Sequence, residues 1–256
     1  GNNSIQGAAF LRLDKYISNA SDYSRSQVKK LAKQSLVEVD GTVATNPAAI
    51  ISPSSRVYLN GEPVTMPGPR YFMLNKPAGV VSATKDSEHS TAIDLVNKPR
   101  TELLQIAGRL DIDATGLLLI TDDGQWNHSI TSPRSDCRKT YQVTVAEPLN
   151  SHLIEKFLEG IWLEGEKRRC LPADLEIEDD HHAQLTISEG KYHQVKRMFA
   201  AQGNLVTELH RIQIGNICLD PTLAPGDYRA LTQLEIALQG LSLIHISEPT
   251  RRTPIS

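Results

Sequence analysis

The sequence predicts an α+β protein, in which a small N-terminal module of helices and a β-hairpin precedes a larger domain with a mostly antiparallel mixed sheet. The 256 residues are 39% hydrophobic and 22% charged, which is ordinary for a chain that buries a core. Strand-like segments follow one another with few helical patterns between them, which favours an antiparallel sheet over βαβ units. Residues 60–70 contain three prolines and two glycines, and this composition indicates a boundary between the two parts.

The composition also argues against several classes of protein. The net charge of −3 gives no global sign of nucleic-acid binding, so any basic surface must be local. The sequence has no run of eighteen apolar residues, which predicts no transmembrane helix, and it opens without the pattern of a signal peptide. Cys137, Cys170 and Cys218 are odd in number and far apart, which argues against a CxxC zinc site and favours a reducing, cytoplasmic setting. The sequence has no long heptad pattern, so we expect a monomer.

The shifts in composition divide the chain into four parts. We predict the small module at residues 10–64, a linker at 65–70 and the larger domain at 71–240. Residues 241–256 are predicted to be a non-native tail, because LSLIHISEPTRR resembles a translated sequencing adapter.

Local signals place a helix and a hairpin in the small module. Ser24 and Gln27 have the spacing of a capping box, which predicts the start of a helix. Val28 and Ala32 then fall at helical spacing and are expected to face a core. Alternating valines around an Asp-Gly pair in residues 37–43 predict a β-hairpin with a type I′ turn.

The predicted helix has a basic stripe on its outward side, formed by Arg25, Lys29, Lys30 and Lys33. Taken alone, such a stripe is usually a solvated helix face. However, the segments RLDKYI, SRSQVKKL and VEVDGTV resemble the S4 RNA-binding domain, in which a helix pair and a hairpin present basic residues to structured RNA. The resemblance implies phosphate contacts from the basic stripe, which give affinity and orientation rather than base identity.

The larger domain has strand signals at four places: residues 71–74, 116–121, 141–145 and 184–187. The third alternates apolar and polar side chains, as a half-buried strand does. Leu153 and Phe157 predict a helix that ends at Gly160. Thr232 and Glu235 form a second capping-box pattern, for a final helix that is predicted to end at Gly240.

Four carboxylates lie close together in the sequence: Asp111, Asp113, Asp122 and Asp123. An EF-hand calcium loop is one interpretation, but its last position usually needs Glu, and residues 117–120 are too apolar for a solvated loop. A phosphatase of the haloacid-dehalogenase type is another, but the βαβ alternation of that fold is absent from the sequence. The third interpretation is a single catalytic carboxylate whose acidic neighbours cap turns. Without further context, the default interpretation is that all four carboxylates only stabilise turns.

A second charged pattern follows residue 189. Val195, Met198 and Phe199 have helical spacing and are expected to pack inward. The same spacing puts three cationic side chains on another face: His193, Lys196 and Arg197. Such a face is usually only solvated, and it becomes a candidate site if a carboxylate points towards it.

Four segments of the larger domain resemble the pseudouridine synthases of the RsuA family. They are LNKPAG at 74–79, AGRLDIDATGLLLITDDGQW at 107–126, CRKTYQV at 137–143 and LTISEGKYHQVKRMFAAQGN at 185–204. The resemblance extends over residues 10–240, and GRLD followed by TGLLLIT is long and specific. GPRYFMLNKP and TDDGQWNH are most similar to family members that act on small-subunit ribosomal RNA.

The resemblance implies an isomerase that detaches uracil from its ribose, turns it and rejoins it through carbon, with no metal and no organic cofactor. It implies 16S ribosomal RNA, free or in the assembling small ribosomal subunit, as the substrate. Three alternatives stay open: a synthase for 23S ribosomal RNA, an S4-linked RNA-binding protein without activity, and a magnesium-dependent phosphatase.

The resemblance also implies roles for individual residues. Asp111 is the essential carboxylate and acts as nucleophile or base. Tyr141 stacks on the target base, and Lys196 pairs with the catalytic carboxylate and favours its charged form. Arg109 binds the RNA backbone or helps to place the flipped base. Lys76 and the remaining acidic residues of the loop are interpreted as structural.

Overall fold

The structure is a computed structural model that describes residues 10–65 and 68–245, with side chains as far as Gln239. The chain divides into two compact units, Gly1–Gly68 and Pro69–Ser256, and each is described by itself. Residues 66 and 67 of the predicted linker and residues 246–256 of the predicted tail lie outside the described residues.

The small unit packs two helices against short strands. Its elements are β1 Leu11–Arg12, α1 Leu13–Ala20, α2 Arg25–Lys33, β2 Val37–Val39, β3 Thr42–Val43, β4 Ile50–Ile51, β5 Val57–Leu59 and β6 Glu62–Val64. The predicted capping box is confirmed, because Ser24 and Gln27 exchange side chain to backbone bonds at the start of α2. Val28 and Ala32 are fully buried, as their spacing predicted.

The predicted hairpin is also confirmed, with β2 and β3 joined through Asp40 and Gly41. Both residues have positive φ, 52° and 82°, as a type I′ turn requires. Asn60 and Gly61 repeat this geometry, with φ of 51° and 82°, and join β5 to β6. Residues 60–64 therefore form a hairpin turn and strand β6 and are not part of an irregular boundary segment, because Asn-Gly favours a hairpin turn as strongly as it favours a loop.

The large unit is built on one nine-stranded mixed sheet. Its elements are β7 Tyr71–Lys76, β8 Gln105–Ala107, β9 Thr115–Thr121, α3 Gly124–Thr131, β10 Lys139–Val145, α4 His152–Glu159, β11 Asp174–Ile177, β12 His182–Ile187, α5 Gln194–Ala200, β13 Val206–Ile214, β14 Ile217–Cys218, β15 Tyr228–Ala230 and α6 Gln233–His245. The main strand order is β11-β12-β10-β13-β9-β7-β15, with β14 beside β13 and β8 beside β9. Every pair of strands described in this sheet is antiparallel except β9 and β13, so the predicted α+β class is confirmed.

Each of the four predicted strands is present. In β10 the side chains of Tyr141, Val143 and Val145 are buried while Gln142 is exposed, which confirms the predicted alternation. Helix α4 ends at Glu159 and is capped by Gly160, whose φ of 103° suits a glycine at that position. No helix among the described residues is long and apolar enough to cross a membrane.

The capping box of α6 is confirmed by reciprocal bonds between Thr232 and Glu235. Its predicted end at Gly240 was wrong, because the helix continues to His245. A glycine inside a helix costs only about 1 kcal/mol, and the leucines at 241 and 243 favour continuation.

The parallel contact between β9 and β13 brings two backbones very close together. A Cβ atom on Gly116 would lie 2.3 Å from the carbonyl oxygen of Arg211, and Gly116 has a φ of 107°. Glycine is therefore required at this position, for both space and conformation. The contact places Arg211 beneath the loop that begins at Gly108.

Candidate active site

An open cleft of about 760 Å³ lies over the middle of the large sheet. This volume is within the range of pockets that hold small molecules. The four residues of the large domain to which the family resemblance gives a role in the site all line it: Arg109, Asp111, Tyr141 and Lys196. They come from the loop before β9, from β10 and from α5, so the fold gathers segments that are far apart in sequence.

Asp111 lies in the loop before β9, where its carbonyl oxygen accepts a bond from the amide of Ala114 at 3.1 Å. Its carboxylate is 27% exposed and faces the side chains of His193 and Lys196. Nε2 of His193 is 3.3 Å from Oδ1, and Nζ of Lys196 is 3.7 Å from Oδ2. The carboxylate is thus open to the cleft on one side and bounded by an imidazole ring and an ammonium group on the other.

Lys196 is shared between two carboxylates. Its ammonium donates to both oxygens of Asp113, at 2.7 and 2.8 Å, which is closer than its approach to Asp111. The hydrogen bond from Lys196 holds the pKa of Asp113 below its usual range. Asp113 was interpreted as structural, and the structure places it against the predicted partner of Asp111.

His193 has an unusual backbone at the start of α5. Its φ and ψ of 47° and 38° are in the left-handed region, which costs a non-glycine residue energy and persists only where the surroundings enforce it. Its ring stacks on Tyr192, with centroids 3.8 Å apart and planes at 17°. The preceding loop is held by Gln194, which accepts from the amide of Lys191 at 2.9 Å and donates to Glu189 at 2.8 Å.

Arg211 on β13 is a residue that the sequence analysis missed. Its side chain is 1% exposed and donates to three carbonyl oxygens, those of Leu117, Gly108 and Arg109, at 2.9, 2.8 and 3.3 Å. Its guanidinium carbon is 6.0 Å from the centroid of the Tyr141 ring. The alternation of side chains along a strand could have predicted the burial of Arg211, because residues 209 and 211 share a face and Leu209 is buried.

Lys76, at the end of β7, anchors the other side of the same loop. The residue is fully buried and its ammonium donates to the carbonyl oxygens of Pro77 and Ile112, at 2.8 and 3.2 Å. Burial lowers the pKa of Lys76 to about 8, although Asp113 and Asp111 oppose the change. Lys76 and Arg211 together fix the backbone on both sides of Asp111.

Tyr141 and Arg109 differ in their exposure. Tyr141 is 7% exposed within a cluster of buried apolar residues and also lines the cleft, whereas Arg109 is an exposed side chain at the rim. The cleft therefore offers an aromatic ring, a carboxylate and several cations to one ligand. A flat base on the ring and phosphates near the cations would match this set.

Asp122 and Asp123 lie at the far end of β9 and do not join Asp111. Asp122 accepts from the amide and the guanidinium of Arg70, at 2.8 and 3.1 Å. Asp123 caps α3 by accepting from the amide of Trp126 at 3.1 Å. The calcium-loop interpretation is excluded, because the residues between these carboxylates form a central strand. The described residues contain no cluster of three or more His, Cys, Asp or Glu suited to a metal.

The basic stripe of the small unit is exposed along α2. Its first member differs from the rest, because Nη2 of Arg25 lies 3.3 Å from the fully buried carboxylate of Asp14. Arg12 reaches the same carboxylate at 3.0 Å. Lys29, Lys30 and Lys33 form no ion pair with any residue that the structure describes, so they are the members available to an anionic ligand.

Comparison with known proteins identifies the class that this fold and cleft define. The family model for RNA pseudouridylate synthase matches residues 70–201, and the S4 domain model matches residues 11–57. The chain belongs to the RNA pseudouridylate synthase family, and family membership makes it an isomerase that acts on RNA.

The relatives cover nearly the whole chain. "Ribosomal small subunit pseudouridine synthase A" of Escherichia coli strain K12 is 50% identical over 228 residues, which are 89% of this chain and 99% of that protein. The protein of the same name in Yersinia pestis is 49% identical over 231 residues, 90% of this chain and 98% of its own. A solved structure described as a pseudouridylate synthase is 47% identical, with a TM-score of 0.65, and covers 90% of this chain and 99% of that one.

Proposed function

We propose that this protein converts a specific uridine of 16S ribosomal RNA to pseudouridine during maturation of the small subunit. The observation that supports it best is the position of Asp111, which faces Lys196 and His193 in a cleft that Tyr141 also lines. In this reaction the bond between uracil N1 and ribose C1′ breaks, a bond from C5 to C1′ forms, the proton on C5 is removed, and N1 gains a proton. The product is an isomer of the substrate, so no atom is supplied from outside.

The roles of the cleft residues follow from their chemistry. Asp111 acts as the nucleophile or base, because an ionised carboxylate can do either. Tyr141 stacks on the base that has left the RNA helix. Lys196 supplies the positive charge beside Asp111, and Arg109 at the rim contacts the RNA backbone or places the flipped base.

The proposed target rests on the relatives and on the small unit. Proteins about 50% identical over nearly all of this chain are named for the small ribosomal subunit. The S4 unit presents Lys29, Lys30 and Lys33 to solvent, where they can bind RNA phosphates. We infer that a cytoplasmic monomer acts on 16S ribosomal RNA or on the assembling subunit.

A matched pair of substitutions tests the catalytic assignment. Asp111→Asn and Asp113→Asn each remove one carboxylate that contacts Lys196 and preserve the size of the side chain. We expect Asp111→Asn to abolish pseudouridine formation and to keep RNA binding within a few-fold. Asp113→Asn should keep most of the activity, because it leaves Lys196 beside Asp111. Turnover by Asp111→Asn in a reverse-transcription assay for pseudouridine would refute the assignment.

Mapping of pseudouridine in ribosomal RNA from cells with and without the protein tests the target. Loss of a single site in 16S RNA supports the proposal. Loss of a site in 23S RNA would mean that this protein is a synthase for 23S ribosomal RNA. No change in either RNA would favour an RNA-binding protein without catalysis. Activity in EDTA should be complete, and a loss that magnesium restores would favour the phosphatase alternative.

A further inference from the structure

Lys139 is a cation in the cleft to which no role has been given. It begins β10, two residues before Tyr141, and both side chains line the cleft. The residue is partly buried, and its ammonium lies near Gly190, where a Cβ atom would be 4.0 Å away. Two positions on one strand are about 7 Å apart, so groups held by Lys139 and Tyr141 would belong to the same nucleotide or to neighbours.

The other basic side chains around the cleft are mostly paired within the protein. Lys191 lies 3.7 Å from Glu166, Lys196 binds Asp113, and Arg211 donates to main-chain carbonyls. Lys139 has no hydrogen bond or ion pair from its ammonium to any residue that the structure describes. Glu189, the second acid of the cleft, accepts instead from the amide of Leu171 and from Gln194, at 3.1 and 2.8 Å.

The surroundings of Lys139 do not compensate its charge. Burial lowers the pKa of Lys139; the charged form of Cys137 would oppose this change, and the nearby Arg211 adds to it. Burial also raises the pKa of Cys137, so this neighbouring thiol is neutral near neutral pH and offers no counter-charge. A partly desolvated ammonium without a partner costs the free protein stability. An anion that enters the cleft would recover that cost.

We propose that Lys139 binds a phosphate of the RNA strand next to the uridine whose base lies on Tyr141. The inference rests on the proposed function, because it takes the ligand of the cleft to be RNA. The phosphate would fix the strand at one point while the aromatic ring holds the base. Charge-assisted bonds between ammonium and phosphate are short and strong, so one contact matters for affinity.

Three variants of the full chain test this role. Lys139→Met removes the charge and keeps an apolar stem, and Lys139→Arg keeps the charge. Lys156→Met removes a charge from the exposed face of α4, outside the cleft, and serves as the control. Affinity for an RNA fragment that contains the target site is measured over a range of salt concentrations, together with the thermal midpoint of unfolding.

We expect Lys139→Met to weaken RNA binding roughly ten- to a hundredfold, and to lower the slope of log affinity against log salt by about one. Its thermal midpoint should stay level or rise, because an unpaired charge has been removed. Lys139→Arg and Lys156→Met should stay within a few-fold of the wild type. A Lys139→Met variant that loses stability and keeps RNA affinity would show a structural lysine and overturn the proposal.

A neutral methylphosphonate placed at each linkage around the target uridine identifies the phosphate. One position should weaken binding by the wild type and have no further effect on Lys139→Met. Additive losses at every position would overturn the inference. The proposed function fails separately, if the wild type forms no pseudouridine in the unmodified RNA.

Discussion

The buried amine of Lys76 offers a quantitative test of how the loop around Asp111 is held. Its bonds to the carbonyls of Pro77 and Ile112 bind the end of β7 to that loop, and the residue has no exposed surface. In the unfolded chain its pKa is 10.5, and burial lowers it to about 8 in the folded protein. The perturbation is Lys76→Met, which removes the titrating group and keeps a long apolar stem.

The two pKa values fix both the sign and the size of the effect. Between pH 8 and pH 10.5 the unfolded chain keeps the proton on Lys76 and the folded protein does not, so the free energy of unfolding rises with pH. This contribution is complete above pH 10.5, declines as the pH falls from 10.5 to 8, and is absent below pH 8. At 1.36 kcal/mol for each pH unit, the difference amounts to about 3 kcal/mol.

Urea unfolding of the full chain between pH 7.5 and pH 11 measures the effect. Both tryptophans, Trp126 and Trp162, lie in the large unit, so their fluorescence reports the unfolding of that unit. We expect the stability of the wild type relative to Lys76→Met to grow by about 3 kcal/mol across this range. The exposed Lys156→Met should show no such growth. A difference between wild type and Lys76→Met that stays constant with pH would refute the argument.

Three further outcomes are expected. Tyr141→Phe should keep RNA affinity, because phenylalanine keeps the stacking face, and Tyr141→Leu should weaken the free energy of RNA binding by about 1–3 kcal/mol. Equal affinities of the two variants would mean that the ring does not contact RNA. In urea unfolding, Gly116→Ala should destabilise the large unit by about 1–3 kcal/mol more than Gly165→Ala. Both glycines have positive φ, and an added Cβ meets the backbone only at Gly116, so equal losses would argue against the close contact. Combined Lys29→Glu and Lys33→Glu substitutions should reduce the salt slope of RNA binding by about one unit for each lost contact, and an unchanged slope would indicate that the basic stripe is only a solvated face. Arg25→Ala should instead mainly destabilise the small unit, because it removes a cation that pairs with the buried Asp14.

Local sequence patterns predicted the elements that depend on neighbouring residues. The capping box at Ser24, the turn at Asp40 and Gly41, and the alternation along β10 are all present in the structure. Each depends on hydrogen bonds or side-chain directions within a few residues. The end of α6 was missed because a single glycine does not settle whether a helix stops or continues.

The arrangement of the cleft could be predicted only in part. Lys196 and Asp113 are 83 positions apart in sequence, and no local rule decides which of two nearby carboxylates the lysine meets. Arg211 was harder to predict, because its partners are main-chain carbonyl groups. Every residue has such a group, so the sequence does not indicate which ones the arginine contacts. The family resemblance identified Asp111, Tyr141 and Lys196 as candidate site residues. Only the structure showed that Lys76 and Arg211 hold the loop around Asp111.

The anchoring of the Asp111 loop has a consequence for the substrate. Two buried cations, Lys76 and Arg211, hold the backbone of this loop from the sheet, so the loop that carries Asp111 is held in place before RNA arrives. If the site is rigid, the conformational change must occur in the RNA. A base has to unstack and flip out of the helix, which costs a few kcal/mol. That cost is smallest for a uridine that is not yet paired. We therefore expect the protein to act on RNA whose final structure is still forming, and to lose its target once the surrounding helices close.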